Sequence, residues 1–186
     1  MAGFVGRWLS DVLRLGLPLA LALAAMQVPA LTHGYASALL QIAEDARRDI
    51  EQRKASARQF YRGAGDTDEA VIEALRGVEP SNAQALSASV ERARTLRAAH
   101  DRVQAAPPLL RPVTALLDLA ENPGADKRAV LATALDTHAP QVVLSAAAAV
   151  YGLIGLVSGS FVAELLISVL GLLASGRRDR ARPLAR

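Results

Sequence analysis

The stretch VYGLIGLVSGSFVAELL, residues 150–166, decides the fold because it is apolar, rich in glycine and interrupted by one carboxylate, Glu164. It belongs to a run without formal charge from Ala139 to Ala163, and apolar residues continue beyond Glu164 to Gly176. A helix of that length exceeds the roughly 20 residues that cross a bilayer. We therefore predict a transmembrane helix over 139–175.

A second uncharged run lies near the start of the chain. Residues 15–31 (LGLPLALALAAMQVPAL) are almost wholly apolar and just long enough to cross the hydrocarbon layer. A cleaved signal peptide is an alternative, because Arg7 and Arg14 precede the run and alanines follow at 22, 24 and 25. Asp11 in the basic region and the unbroken apolar pattern favour a retained transmembrane helix.

The composition favours helices over strands. Apolar residues make up 52% of the chain but aromatic residues only 4%, and alanine and leucine are strong helix formers. The absence of cysteine excludes disulfides, thiolate metal sites and cysteine nucleophiles. We predict an all-α protein.

The distribution of charge predicts the orientation. Residues 1–14 carry two arginines and one aspartate, and the tail 176–186 carries five arginines and one aspartate. Residues 32–138 hold 14 basic and 15 acidic side chains, so nothing there strongly resists translocation. Because short basic flanks stay in the cytoplasm, both termini are predicted to be cytoplasmic, with 32–138 periplasmic, in a bacterial inner membrane.

The middle segment predicts an antiparallel helical hairpin with short accessory helices. Its first helix carries a heptad-like pattern: Leu39, Ala43, Ala46, Ile50, Arg53, Ala57 and Phe60. Its second helix, from about 80 to 106, has a similar face: Leu86, Val90, Ala93, Leu96, His100 and Val103. Asp66 or Thr67 reads as the N-cap of a short helix over 70–75 rather than as part of a calcium loop. Further short helices are predicted at 113–120 and 126–136, around a turn at 122–124.

Small residues recur along one face of the second transmembrane helix. Ala148, Gly152, Gly155 and Gly159 are spaced by four, three and four, which lets a neighbouring helix approach closely. The first transmembrane helix is the nearest candidate partner, and a second copy of the chain is the next.

The position of Glu164 suggests an ion pair. If Leu31 and Pro140 mark the same membrane surface, Arg7 and Glu164 each lie 24 residues from it. We predict that Glu164 lies near the cytoplasmic headgroups and pairs with Arg7, or with Arg14 if the register shifts. The alternative places Glu164 within lipid as a proton or ion ligand.

No catalytic motif is present in the sequence. There is no phosphate loop, GxSxG, HExxH or dinucleotide turn. His33 and His138 follow and precede the transmembrane helices, but no third metal ligand is evident, and His100 stands apart. We therefore expect no enzyme, no cofactor, no metal and no nucleic-acid partner.

The exit of the first transmembrane helix carries a short motif, MQVPALTHGYASAL, with Gln27, Pro29 and Tyr35. Together with a glycine-rich final helix, it resembles an uncharacterised family of small bacterial inner-membrane proteins (DUF2937-like). The family's acidic-aromatic pair after the proline is Ala30-Leu31 here. The resemblance implies the topology and a helical periplasmic segment, but no activity. Gln27 and Pro29 would mark where the helix leaves lipid, with Tyr35 as an interfacial anchor.

These observations predict an integral membrane protein that acts as a non-catalytic scaffold or adaptor. Its expected partners are the lipid bilayer and a protein, either another membrane protein or a second copy of the chain. The alternative is an accessory subunit of a transport system in which Glu164 takes part in proton or ion coupling.

Overall fold

The computed structural model describes residues 2–61, 65–121, 124–136, 139 and 145–180, most of which are helical, with no strand among them. The seven helices of these residues are α1 (Ala2–Met26), α2 (Val28–Phe60), α3 (Asp68–Arg76), α4 (Pro80–Ala105), α5 (Arg111–Glu121), α6 (Ala125–Asp136) and α7 (Ala146–Arg180). The all-α prediction is therefore confirmed.

The chain forms two compact units. Unit 1 combines Met1–Ala30 with Pro140–Arg186, and unit 2 is Leu31–Ala139. Unit 1 contains α1 packed on α7. Its composition contrasts with that of unit 2, which holds most of the charged residues.

Unit 2 is built on α2 and α4, whose contacts run in opposite order along the two helices. The His100 ring meets the Ala36 carbonyl, Arg97 pairs with Glu44, and the Tyr61 hydroxyl donates to Glu79. One apolar cluster in unit 2, the junction cluster, lies close in sequence to both ends of the unit; it is formed by Tyr35, Ala36, Leu39, Ala43, Leu96, Ala99, Val103, Ala115 and Val130. The second, the distal cluster, is formed by Ile50, Ala57, Val71, Leu75, Ala83, Leu86, Val90 and Ala93.

The apolar face of α2 departs from the heptad pattern toward its C-terminal end. Ile50 and Ala57 are buried, as the spacing predicts, but Arg53 is exposed and Lys54 occupies the position between them. Phe60, which the pattern placed on the same face, is exposed instead. A straight helix repeats every 3.6 residues, so a 3.5-residue pattern drifts off the buried face along its length.

The short helices begin and end close to the predicted positions. Thr67 is the N-cap of α3, and its side chain accepts a hydrogen bond of 3.2 Å from the Ala70 backbone N–H. α4 begins with Pro80 in its first turn, where the missing N–H costs nothing. The predicted turn at 122–124 falls partly outside the described residues, of which Gly124 is one.

Candidate functional site

The small residues of α7 face α1 at very short range. A Cβ atom at Gly155 would overlap the Leu21 carbonyl oxygen and lie 2.8 Å from Ala25 Cβ. At Gly159 it would lie 2.6 Å from Pro18 Cα. Because these are backbone or Cβ atoms that cannot rotate away, only glycine permits this approach.

The small residues of α7 that face α1 form a row, called the seam below, which extends in both directions from these two glycines. A Cβ at Gly152 would lie 2.8 Å from Met26 Cγ, and Ala148 and Ala163 are both buried. All four residues predicted to form the seam, Ala148 included, thus lie on one buried or close-packed face. Gly171 differs, because a Cβ there would meet nothing within 4 Å.

Proline at position 18 suits its place in the seam. It lies inside α1, where it supplies no backbone N–H and so leaves one carbonyl of the preceding turn without its helical partner. Its Cα and N atoms lie against Gly159, a contact in which neither residue brings a flexible side chain. The helix continues through Pro18 to Met26.

The outward faces of α1 and α7 are formed by large apolar side chains. On α1 they include Trp8, Leu9, Val12, Leu15, Leu19 and Leu23, and on α7 they extend from Val150 to Leu172. Few residues in the most apolar part of each helix are buried: 11% of them in the helical stretch Gly6–Phe60 and 17% in Ala146–Leu172. The two helices are long and apolar enough to span a membrane. Core helices of a soluble protein would be mostly buried.

Glu164 pairs with Arg14, the second of the two predicted partners. Arg14 Nε lies 2.8 Å from Glu164 Oε1, and its Nη2 donates to Oε2 at 3.2 Å, which makes a bidentate pair. The two side chains remain 51% and 57% exposed. Arg7, the partner that was predicted first, is not the residue that forms this ion pair.

The reason is where α7 begins. The predicted depth of Glu164 was counted from Pro140. Because α7 starts at Ala146, Glu164 lies 18 residues into its helix (164 − 146). Arg14 lies 17 residues before Leu31 (31 − 14), at nearly the same level. The contacts of the seam agree, because Gly155 meets Ala22 and Gly159 meets Pro18.

The exit motif coincides with the junction between two helices. α1 ends at Met26, the Gln27 N–H bonds to the Ala24 carbonyl at 3.1 Å, and α2 starts at Val28. Pro29 thus lies in the first turn of α2, where proline is tolerated. Tyr35, which was predicted to be an interfacial anchor, is buried in the junction cluster, where it packs against other residues of unit 2.

Unit 2 holds a charged cluster between α2 and α3, in which Lys54 and Asp68 are buried. Lys54 Nζ lies 2.8 Å from Asp68 Oδ1, and Arg47 Nη1 lies 2.7 Å from Asp68 Oδ2. Burial alone would raise the pKa of Asp68, but the hydrogen bonds from Lys54 and Arg47 outweigh it and hold that pKa below its ordinary value. The hydrogen bond that Lys54 donates to Asp68 also raises the pKa of Lys54.

A second buried charged cluster joins α4, α5 and α6. Lys127 Nζ lies 2.6 Å from Asp118 Oδ2, and both side chains are almost fully buried. Arg102 Nη2 lies 2.7 Å from Asp118 Oδ1, an ion-pair contact whose geometry is not that of a hydrogen bond. Burial, and then the charge of Asp118, raises the pKa of Tyr35 to about 12. The Tyr35 hydroxyl has no hydrogen-bond partner among the described residues.

The histidines are separate from these clusters. His33 is exposed on α2, His100 Nδ1 lies 2.9 Å from the Ala36 carbonyl oxygen, and His138 lies outside the described residues. No group of three or more histidine or carboxylate side chains among the described residues is arranged to hold a metal ion.

Comparison with known proteins identifies the chain at the level of a family. No curated protein and no solved structure shows significant similarity to it. One family profile matches residues 9–176, which include most of α1, all of unit 2 and most of α7. The chain therefore belongs to the family described as a protein of unknown function, DUF2937.

Proposed function

We propose that the protein is an integral membrane protein of the bacterial inner membrane, in which α1 and α7 cross the bilayer as a pair. The observation that carries this proposal is the inverted packing of that pair, with glycines inside and large apolar side chains outside. In water such a surface would be far larger than the apolar patches of soluble proteins. In lipid it is the expected arrangement.

The dimensions of the apolar surface support the proposal. From Val150 to Leu172 the exposed apolar side chains of α7 extend over 22 residue-to-residue steps (172 − 150), or about 33 Å at 1.5 Å per step. The hydrocarbon core of a bilayer is about 30 Å thick. The pairing also favours a retained first transmembrane helix over a cleaved signal peptide, because removing α1 would uncover the glycine seam.

Unit 2 is, in this proposal, a periplasmic helical hairpin that acts as a non-catalytic scaffold or adaptor. The basic flanks at both ends of the chain support cytoplasmic termini. The buried Asp68 and Asp118 clusters hold the helices of unit 2 together, which suits a rigid module that presents its surface to a partner.

The Arg14–Glu164 pair supports a partner within the membrane. Exposed apolar residues continue for eight residues beyond Glu164 (172 − 164), which places the pair about 12 Å inside the apolar band. More than half of each side chain stays uncovered by α1 and α7. Half-exposed charges within lipid are costly, so a helix of another membrane protein or of a second copy is expected to cover them.

The second candidate function is an accessory subunit of a transport system. Its supporting observation is the same position of Glu164 inside the apolar band, where a carboxylate can take part in proton or ion coupling. The bidentate contact with Arg14 favours the scaffold, because it satisfies the carboxylate without a transported ion.

The test is purification in mild detergent, native mass measurement and identification of crosslinked partners. We expect a complex that is lost in the double variant Arg14→Gln/Glu164→Gln. The control replaces a surface ion pair of unit 2, Arg76→Gln/Glu73→Gln, and should leave the complex intact. A monomeric protein that copurifies with nothing, or proteoliposomes that carry a proton flux abolished by Glu164→Gln, would contradict the scaffold.

A further inference from the structure

Helix α5 leaves most of its large apolar side chains exposed. Its buried face is formed by Pro112, Ala115 and Asp118, which is 3% exposed, whereas Leu116 and Leu117 are 65% and 54% exposed. An amphipathic helix of a soluble domain does the reverse, because burying the apolar stripe is what holds it in place. Counting the preceding turn, the outward stripe comprises Leu109, Leu110, Val113, Leu116, Leu117 and Ala120.

Specific contacts fix α5 in this orientation. Asp118 is held from the inner side by Lys127 on α6 and by Arg102 on α4. At the start of α5, Arg111 donates hydrogen bonds to the Ala106 and Gln104 carbonyls, at 3.2 and 3.3 Å. Rotating α5 to bury its leucines would break these buried ion pairs, so the exposure of the stripe is built into the fold.

The stripe belongs to the part of unit 2 nearest in sequence to both connections with unit 1. On its inner face, Ala115 packs in the junction cluster with Tyr35, four residues after Leu31, where unit 2 begins. Lys127 and Val130 bring α6 into the same region, and α6 leads to Ala139, where unit 2 ends. The distal cluster contains no residue of α5 or α6.

We propose that the outward stripe of α5 docks on the bilayer surface, with its leucines at the boundary between headgroups and acyl chains. The proposal rests on the proposed function, since it needs α1 and α7 to hold the chain in a membrane. Scattered apolar side chains need no partner, but five large ones on one short segment form a contiguous patch. The closeness in sequence of the junction cluster to the membrane-spanning segments favours lipid as the occupant, because an apolar helix face in the interface plane is a membrane-binding device.

The experiment uses the full chain, in which every introduced cysteine is unique because the protein has none. Leu117→Cys is labelled with an environment-sensitive fluorophore and reconstituted in phosphatidylcholine–phosphatidylglycerol vesicles. Quenching is measured with a lipid nitroxide near the headgroup and with aqueous iodide. Ser87→Cys, exposed on α4, is the control for water, and Leu166→Cys, exposed on α7, is the control for lipid.

We expect the Leu117 label to be quenched several-fold more by the lipid nitroxide than the Ser87 label, and to be less accessible to iodide. Equal responses at Leu117 and Ser87 would overturn the docking while the Leu166 label still reports lipid. Protection of Leu117 from both quenchers would also overturn it, because a protein or a second copy would then cover the stripe. If the Leu166 label is quenched only by iodide, the proposed function fails and the docking fails with it.

Discussion

Replacing Gly155 by alanine should separate α1 from α7. The added carbon would lie 2.8 Å from Ala25 Cβ and 2.9 Å from Ala22 Cα, whereas carbon atoms rest at about 3.5 to 4.0 Å. The helices must therefore move apart by roughly 1 Å, which forfeits about a quarter to a half of the dispersion energy of each facing atom pair. Overpacking of this kind costs about 1 to 3 kcal/mol, or roughly a 5- to 150-fold loss in the pairing equilibrium.

The matched control is Gly171→Ala on the same helix. It brings the same gain in helix propensity, but its Cβ meets nothing within 4 Å. Fluorophores at Leu19→Cys and Leu153→Cys, both on outward faces, report helix separation by energy transfer as SDS is added to mixed micelles. We expect a lower SDS midpoint for Gly155→Ala than for Gly171→Ala. Equal midpoints would refute the reasoning that close backbone approach holds the pair together.

Further predictions concern the buried charges of unit 2, measured by chemical unfolding in non-denaturing detergent. Asp118→Asn leaves Lys127 buried without its counter-charge and should cost about 3 to 5 kcal/mol, whereas the double variant Asp118→Leu/Lys127→Met should cost much less; equal losses would contradict this. Tyr35→Phe removes a buried hydroxyl without a partner among the described residues, so it should be neutral or stabilising by up to about 1 kcal/mol at neutral pH. Because the pKa of Tyr35 is raised in the fold, its contribution to the free energy of unfolding is fully present below pH 10 and is lost as the pH rises from 10 to about 12. Tyr35→Phe should therefore reduce the loss of stability over this alkaline range. The pKa of Asp68 is lowered in the fold, so its contribution to the free energy of unfolding is present above about pH 4 and is lost as the pH falls further. Asp68→Asn should therefore lose less stability in acid than the unchanged protein. An identical dependence of stability on pH in the two proteins would argue against the cluster.

The helices and the small-residue seam could be predicted from the sequence because both depend on local spacing. Apolar residues recurring every three or four positions identify a helix and its buried face, as Leu86, Val90 and Leu96 do on α4. Glycines at the same spacing mark the face that another helix can approach, and Gly155 and Gly159 do face α1. These signals need no knowledge of distant contacts.

The buried ion pairs could not be predicted in this way. Lys54 stands in a segment of alternating charges, where the ordinary expectation is a solvated face. Its burial depends on Asp68, which reaches it only because the chain reverses after α2. Likewise, the apolar character of α5 was evident, but which of its faces is buried depends on where Lys127 and Arg102 place Asp118.

The partner of Glu164 is Arg14, the second of the two predicted residues, for a different reason. Counting from Pro140 assumed that the helix starts at the proline, but α7 begins at Ala146. A difference of six residues is nearly two helical turns, enough to exchange Arg7 for Arg14. Sequence periodicity fixes which face of a helix is buried more reliably than it fixes the first residue of that helix.

The most direct test of the central claim is alkaline carbonate extraction of cell membranes that contain the full chain with tags at both ends. If α1 and α7 cross the bilayer as a pair, the uncleaved protein should remain in the membrane pellet and carry both tags. Release of the intact chain into the supernatant would contradict the account, and loss of the N-terminal tag would contradict the pairing of α1 with α7.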